Sequence, residues 1–323
     1  ASLLIGQSYK RVGELKNAEK AYRRTVLDHP AHYISVLAKW DLADIYREMD
    51  DQVRRVEVWE NLAYKVKRTK QNNYYTTHAS CYLGQHLFYQ GDFPEGLKAF
   101  ETTYKGTSLI RHLYQYANSP ISSLTGNQEK KVLGDKLANE LIGFIEKQVP
   151  TDLKAKANAV LAREYYYTIA SIHSRARRDA EGLAVYEQLG KLIGVDDDLR
   201  GKQAGWHRDR KRYAQARKIY SQYTDKVSGV VNIAWTHRRY EGKHDQAVVV
   251  YNQLIGLEKE REGEWHENIV GTWREAKKWD NAIATYQTLL KVVPARFGDW
   301  YWGIADCHER SGRLPQAIQC YRQ

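Results

Sequence analysis

Apolar residues along this chain recur at helical spacing, and no stretch shows the strict alternation of a half-buried strand. Seven segments superimpose on one another: NAEKAYRRTVLDHP, EGLKAFETTY, EGLAVYEQL, AQARKIYSQY, DQAVVVYNQL, DNAIATYQTLLKVVP and PQAIQCYRQ. Each carries a small residue four positions before an aromatic ring. The rings are Tyr22, Phe100, Tyr186, Tyr220, Tyr251, Tyr286 and Tyr321, and a degenerate copy, RVEVWENL, puts Trp59 in the same place. The last five rings follow one another at 34, 31, 35 and 35 residues. A period near that value, with two helical segments per unit, predicts stacked helical hairpins.

Other landmarks keep the register. Thirteen residues before the ring stands a bulky slot: Tyr9, Tyr46, Leu87, His173, His207, Arg238, Trp273 and His308. Three residues earlier is a small slot with Gly6, Ala43, Gly84, Ala170, Ala204 and Ala305, to which Trp235 and Val270 are exceptions. Gly13, Gly91, Gly242 and Gly312 mark the turn, where a positive φ ends the first helix. Small residues on both helices (Ala18, Ala216, Ala247, Ala282 and Ala317 on the second) let them approach, and the ring fills the space to the next hairpin. Pro30 and Pro294 close a second helix.

The pattern Gly6, Tyr9, Gly13, Ala18, Tyr22, and its counterpart GQHLFYQGDFPEGLKAF from Gly84 to Phe100, resembles the tetratricopeptide repeat family. The resemblance covers about 1–105 and 164–323. It implies an all-α, right-handed superhelical solenoid of about nine antiparallel hairpins. We expect three repeats in 1–105, a divergent helical hairpin in 106–150 and five repeats, the last one truncated, in 151–323. Arg55 occupies the alanine slot, which predicts a loosely packed second unit. In the irregular segment, helices are expected near 107–118 and 128–148 with a loop at 119–127. The family's clamp for chaperone tails needs Lys and Asn in inner-face slots. Leu3, Leu4 and Gln7 in the first unit and Trp302, Gly303 and Asp306 in the last do not supply it.

The 323 residues carry 50 Lys and Arg against 39 Asp and Glu, a net +11, which directs attention to acidic partners. The densest stretch, GWHRDRKRYAQARKIY, interleaves cations with rings as a nucleic-acid groove would. On the repeat, however, His207, Ala216 and Tyr220 are framework, and Arg210, Lys211 and Arg212 fall at a helix end and turn, where cations suit the dipole. Arg208 survives this accounting. Its slot, directly after the bulky one, holds Lys10, Arg47, Phe88, Ser174, Arg208, Arg239, Arg274 and Glu309, so five of eight members are basic. Such a column is a candidate groove for an acidic partner segment. The competing reading is a solvated, snorkelling face.

No catalytic constellation is legible. HENIV lacks the second His of a zinc motif, GNQEKK is not a phosphate loop, and no G-x-S-x-G or G-x-G-x-x-G occurs. Catalysis, a metal or a cofactor is therefore not expected. Cys81, Cys307 and Cys320 read as reduced thiols, which favours a reducing compartment such as the cytoplasm. Two aromatic runs, Tyr165–Tyr167 and Trp300, Tyr301, Trp302, cannot bury three adjacent rings on one helix face. One ring of each is expected to be exposed or to meet a partner. The favoured function is a protein-interaction scaffold. Reading RNA with one helical hairpin per base is the alternative. It is disfavoured because its base-reading slots hold no regular polar column and Met49 is the sole methionine. A further expectation, from hairpins cut at both ends, is end-to-end self-association.

Overall fold

The computed structural model describes residues 1–323 and is entirely helical. Eighteen α-helices follow one another as nine consecutive pairs. They divide into two compact units, 1–185 and 186–323, with the boundary inside α10 (Asp179–Ile193). In the first unit α1 (Ser2–Arg11) pairs with α2 (Leu15–Asp28), and α3 (Tyr33–Glu48) with α4 (Gln52–Glu60). α5 (Asn73–Tyr89) pairs with α6 (Phe93–Glu101), and α7 (Gly106–Gly126) with α8 (Lys131–Glu146), before α9 (Lys156–Arg175). In the second unit the pairs are α11 (Asp197–Asp209) with α12 (Tyr213–Tyr220), α13 (Lys226–Trp235) with α14 (His244–Leu257), α15 (Glu262–Glu275) with α16 (Trp279–Val292), and α17 (Phe297–Arg310) with α18 (Leu314–Tyr321).

The ring and small slots do the packing. Gly6 lies so close to Tyr22 that a Cβ there would stand 2.6 Å from the ring, and at Gly84 it would stand 2.3 Å from Phe100. Ala18, Ala216, Ala247, Ala282 and Ala317 are buried, as are Tyr22, Phe100, Tyr186, Tyr220, Tyr251 and Tyr286. Tyr9 and Tyr321, in the first and last hairpins, are exposed. Trp59 is buried too, so the ring of the second pair is packed despite Arg55 in the alanine slot. Arg55 has turned its guanidinium onto the Trp59 indole, 4.4 Å from the ring centre.

Eight of the nine turns share one device. Gly13, Gly91, Gly242 and Gly312 have positive φ, and so do Asp50, Arg177, Lys211 and Lys277 at the equivalent positions. The left-handed residue lets the next residue's N–H reach the bulky slot's carbonyl, as in Arg212 N to His207 O at 2.9 Å and Lys278 N to Trp273 O at 2.9 Å. The exception is α7/α8. There the expected loop at 119–127 is helical almost throughout, because α7 runs through Pro120. Proline removes the N–H that would have bonded Tyr116 O, and Gln85 Nε2 donates to that carbonyl instead, at 3.4 Å.

One register correction matters for function. Lys243 N reaches back to His237 O at 2.8 Å, a span one residue longer than in the other turns. The extra residue is absorbed by a π-helical turn, Thr236–Tyr240. His237, not Arg238, therefore fills the bulky slot, and buried Ala234, not Trp235, fills the small one. Arg238 moves into the column position that counting had assigned to Arg239.

Two predictions follow from these backbones. Lys211→Gly and Lys277→Gly should each stabilise the protein by about 0.5–1 kcal/mol, since relief of the left-handed penalty outweighs glycine's entropy. A lowered urea midpoint would contradict this. Arg238→Ala should cost about 2–3 kcal/mol, because it strands a paired carboxylate, whereas Arg239→Ala should cost under about 0.5 kcal/mol. Equal losses in chemical unfolding would refute the register shift.

Candidate partner-binding surface

The basic column is built from the last turn of each first helix, and most of its charge is met within the fold. Lys10 Nζ lies 3.1 Å from Asp44 on the next hairpin. Arg274 donates to Asp306 Oδ2 at 2.6 Å and to the Tyr286 hydroxyl at 3.0 Å, again spanning two hairpins. Arg238, only 11% exposed, grips Glu275 with two hydrogen bonds of 2.7 and 2.8 Å. That contact holds the Glu275 carboxyl below the usual glutamate range. Its contribution to stability is complete above the ordinary value of 4.5 and is lost as pH falls through the depressed one. Phe88, in the same slot, stacks on Phe100 at 5.6 Å. The slot faces its own hairpin's ring and the next hairpin at once, so a long cation there is first a tie between hairpins.

Arg208 pairs with its neighbour Asp209 at 3.1 Å and lies 4.8 Å from the centre of the Tyr240 ring. Two cations of the region stay accessible. Arg47, 56% exposed, keeps a single contact with Asp44 at 3.2 Å. Arg239, 51% exposed, reaches Glu275 at 3.3 Å and stands over Trp235 at 5.5 Å.

A second ladder absorbs cations of the turns. Lys278 pairs with Asp245 at 2.6 Å, Arg313 with Asp280 at 2.5 Å and Arg178 with Asp135 at 2.6 Å. In each case the residue after the left-handed one reaches the preceding hairpin's second helix. The slot histidines are packing residues: burial pushes the pKa of His173, His207 and His308 below the ordinary 6.5, which leaves them uncharged at neutral pH.

The aromatic runs separate by face. Trp300 is buried and its indole N–H donates to Val293 O at 3.0 Å, so it belongs to the core and not to a partner surface. Tyr301 is half-buried, and Trp302 is 58% exposed. Tyr165 is buried, with Tyr166 and Tyr167 half-buried. Counting along the sequence did not reveal a larger aromatic group in the first unit. Trp40 touches Tyr74, Tyr75 and His78 edge-on and stacks with Tyr82 at 6.1 Å. The signal was there as rings one helical turn apart in NYYTTHASCY.

No cluster of three or more His, Cys, Asp or Glu suited to a metal ion is present, and no helix is long and apolar enough to cross a membrane. The three cysteines are free thiols.

A family model described as tetratricopeptide repeat matches residues 274–323. No curated protein matches the chain. Among solved structures, yeast Tom70 is similar over 99% of this chain and 82% of that one, at 11% identity and a TM-score of 0.32. The TPR domain of P58(IPK) is similar over 98% of each chain, at 13% identity and a TM-score of 0.26. The matched segment runs from the end of α15 through α18 and carries a tetratricopeptide repeat, and the same ring, small and turn slots recur in the earlier hairpins.

Proposed function

We propose that this chain is a non-catalytic protein-interaction scaffold that holds an extended, acidic segment of a partner protein against the exposed face of its first helices. The observation that carries the reading is a division of labour on those helices. The slots that face the second helix are filled by buried small residues. On the same helices or just past their ends, Trp40, Arg47, Tyr74 and Tyr82 in the first unit, and Trp235, Arg239 and Trp302 in the second, leave rings and guanidinium groups within reach of solvent. Arginine and large aromatics dominate the energetics of protein recognition. A framework tied by ion pairs presents them with little ordering cost.

The RNA reading draws its support from net charge, and the column weakens that support. A phosphate backbone would have to displace Asp44, Glu275 and Asp306 from Lys10, Arg238 and Arg274. The two readings separate in one experiment. Unstructured peptides and single-stranded RNA are titrated into the protein at several salt concentrations, followed by fluorescence anisotropy. Acidic peptides should bind, and the double variant R47E/R239E should weaken them about tenfold with its helicity unchanged. Binding of RNA alone, with a steep salt slope, would overturn the scaffold reading.

A further inference from the structure

A cavity of about 270 Å³ opens between α3, α4 and α5. Trp40, Asp44, Arg47, Arg55, Trp59 and Tyr82 line it. One of these residues, Arg55, breaks the repeat. Four residues before the ring, the seven other hairpins that share the pattern carry Ala or Gly, buried in every case: Ala18, Gly96 and Gly182 in the first unit and alanine throughout the second. In α4 a guanidinium stands there instead and lines the cavity.

Arg55 is poorly served by its own chain. Its Nε is buried and meets no hydrogen-bond acceptor, and no carboxylate lies within ion-pair distance of the side chain. The Trp59 ring beneath it gives a cation–π contact and no hydrogen bond. Burial, and then the nearby Arg47, push its pKa down, while Asp44 and Tyr82 push it back up. Of the lining residues only Asp44 is acidic, and it is already shared between Lys10 at 3.1 Å and Arg47 at 3.2 Å. Two guanidinium groups thus face a space with one carboxylate, which Arg47 already shares with Lys10. A half-buried cation without a partner raises the energy of the free protein, and an incoming anion would lower it.

We propose that this cavity receives the side-chain carboxylate of a glutamate or aspartate in the bound partner segment. The Arg55 and Arg47 guanidinium groups donate to it, and the Trp40 and Tyr82 rings flank its methylene groups. The assignment rests on the scaffold reading and adds the residue type that one pocket selects. A planar fork matches a carboxylate. The donor comes from the second helix, at a position where the framework otherwise requires a small residue.

The test uses two blocked peptides, Ala-Ala-Glu-Ala-Ala and its Gln analogue, titrated into the intact chain. The readout is the indole N–H resonances of Trp40 and Trp59, assigned with W40F and W59F. The Glu peptide should move both resonances and bind about tenfold more tightly than the Gln peptide, and Arg55→Ala should remove that preference. Because Arg55→Ala restores the framework residue, its thermal midpoint should hold or rise. Should that variant unfold, Arg55→Gln keeps the length without the charge. A Glu peptide that binds the Arg55 variants as well as the unchanged protein would overturn the pocket and leave the scaffold reading intact. Absence of any Glu preference in the unchanged protein would overturn the pocket alone, since the scaffold reading stands or falls on the longer peptides. A lowered midpoint with the Glu preference retained would make Arg55 a structural residue.

Discussion

The whole arrangement depends on close approach of an aromatic ring to a residue with little or no side chain. Within a hairpin that partner is Gly6, Gly84 or an alanine on the first helix; between hairpins it is Gly303, where a Cβ would stand 2.3 Å from Tyr286. Protein interiors pack at crystalline density, so such contacts allow one geometry and penalise its neighbours. The crossing of the helices, the reach of the turn and the placement of every column residue follow from them.

Charge is spent on the same task. The chain carries 11 more cations than anions, yet the cations that look most available in sequence, such as Lys10, Arg178, Arg238, Arg274 and Lys278, are held by carboxylates about one repeat away. Pairs on the exposed side contribute little singly. Arg238 and Arg274, which are less exposed and make several hydrogen bonds, contribute more. Around the column, Arg47 and Arg239 stay more than half exposed, and Arg55 meets no carboxylate within ion-pair distance. Binding capacity in this molecule is better judged by which cations stay exposed or poorly paired than by net charge.

The sequence shows the repeat clearly because its signals are local and periodic: Tyr22, Tyr220 and Tyr286 each stand four residues after a buried alanine. It does not show where the period is broken. The π-helical turn at Thr236–Tyr240 inserts one residue without a glycine or proline to mark it, so counting back from Tyr251 lands on Arg238 where His237 belongs. Pro120 reads as a helix breaker until Gln85, a residue from another hairpin, is seen to satisfy Tyr116 O. Trp300 and Trp302 are indistinguishable by composition, and only the helix face separates core from surface. Arg55 in the alanine slot is visible as an anomaly, but its consequence depends on where Arg47, Asp44 and Tyr82 converge. In each case the missing information is a contact between hairpins.

The packing constraint can be measured where it is tightest. Gly303→Ala adds one methyl against Tyr286, and Tyr286→Leu removes the obstacle. Equilibrium urea unfolding of both single variants and the double variant gives a coupling energy. Gly303→Ala should cost about 1–3 kcal/mol beside tyrosine and far less beside leucine. Strictly additive losses, or a Gly303→Ala variant as stable as the unchanged protein, would contradict the claim that ring-to-glycine approach sets the stacking of the hairpins.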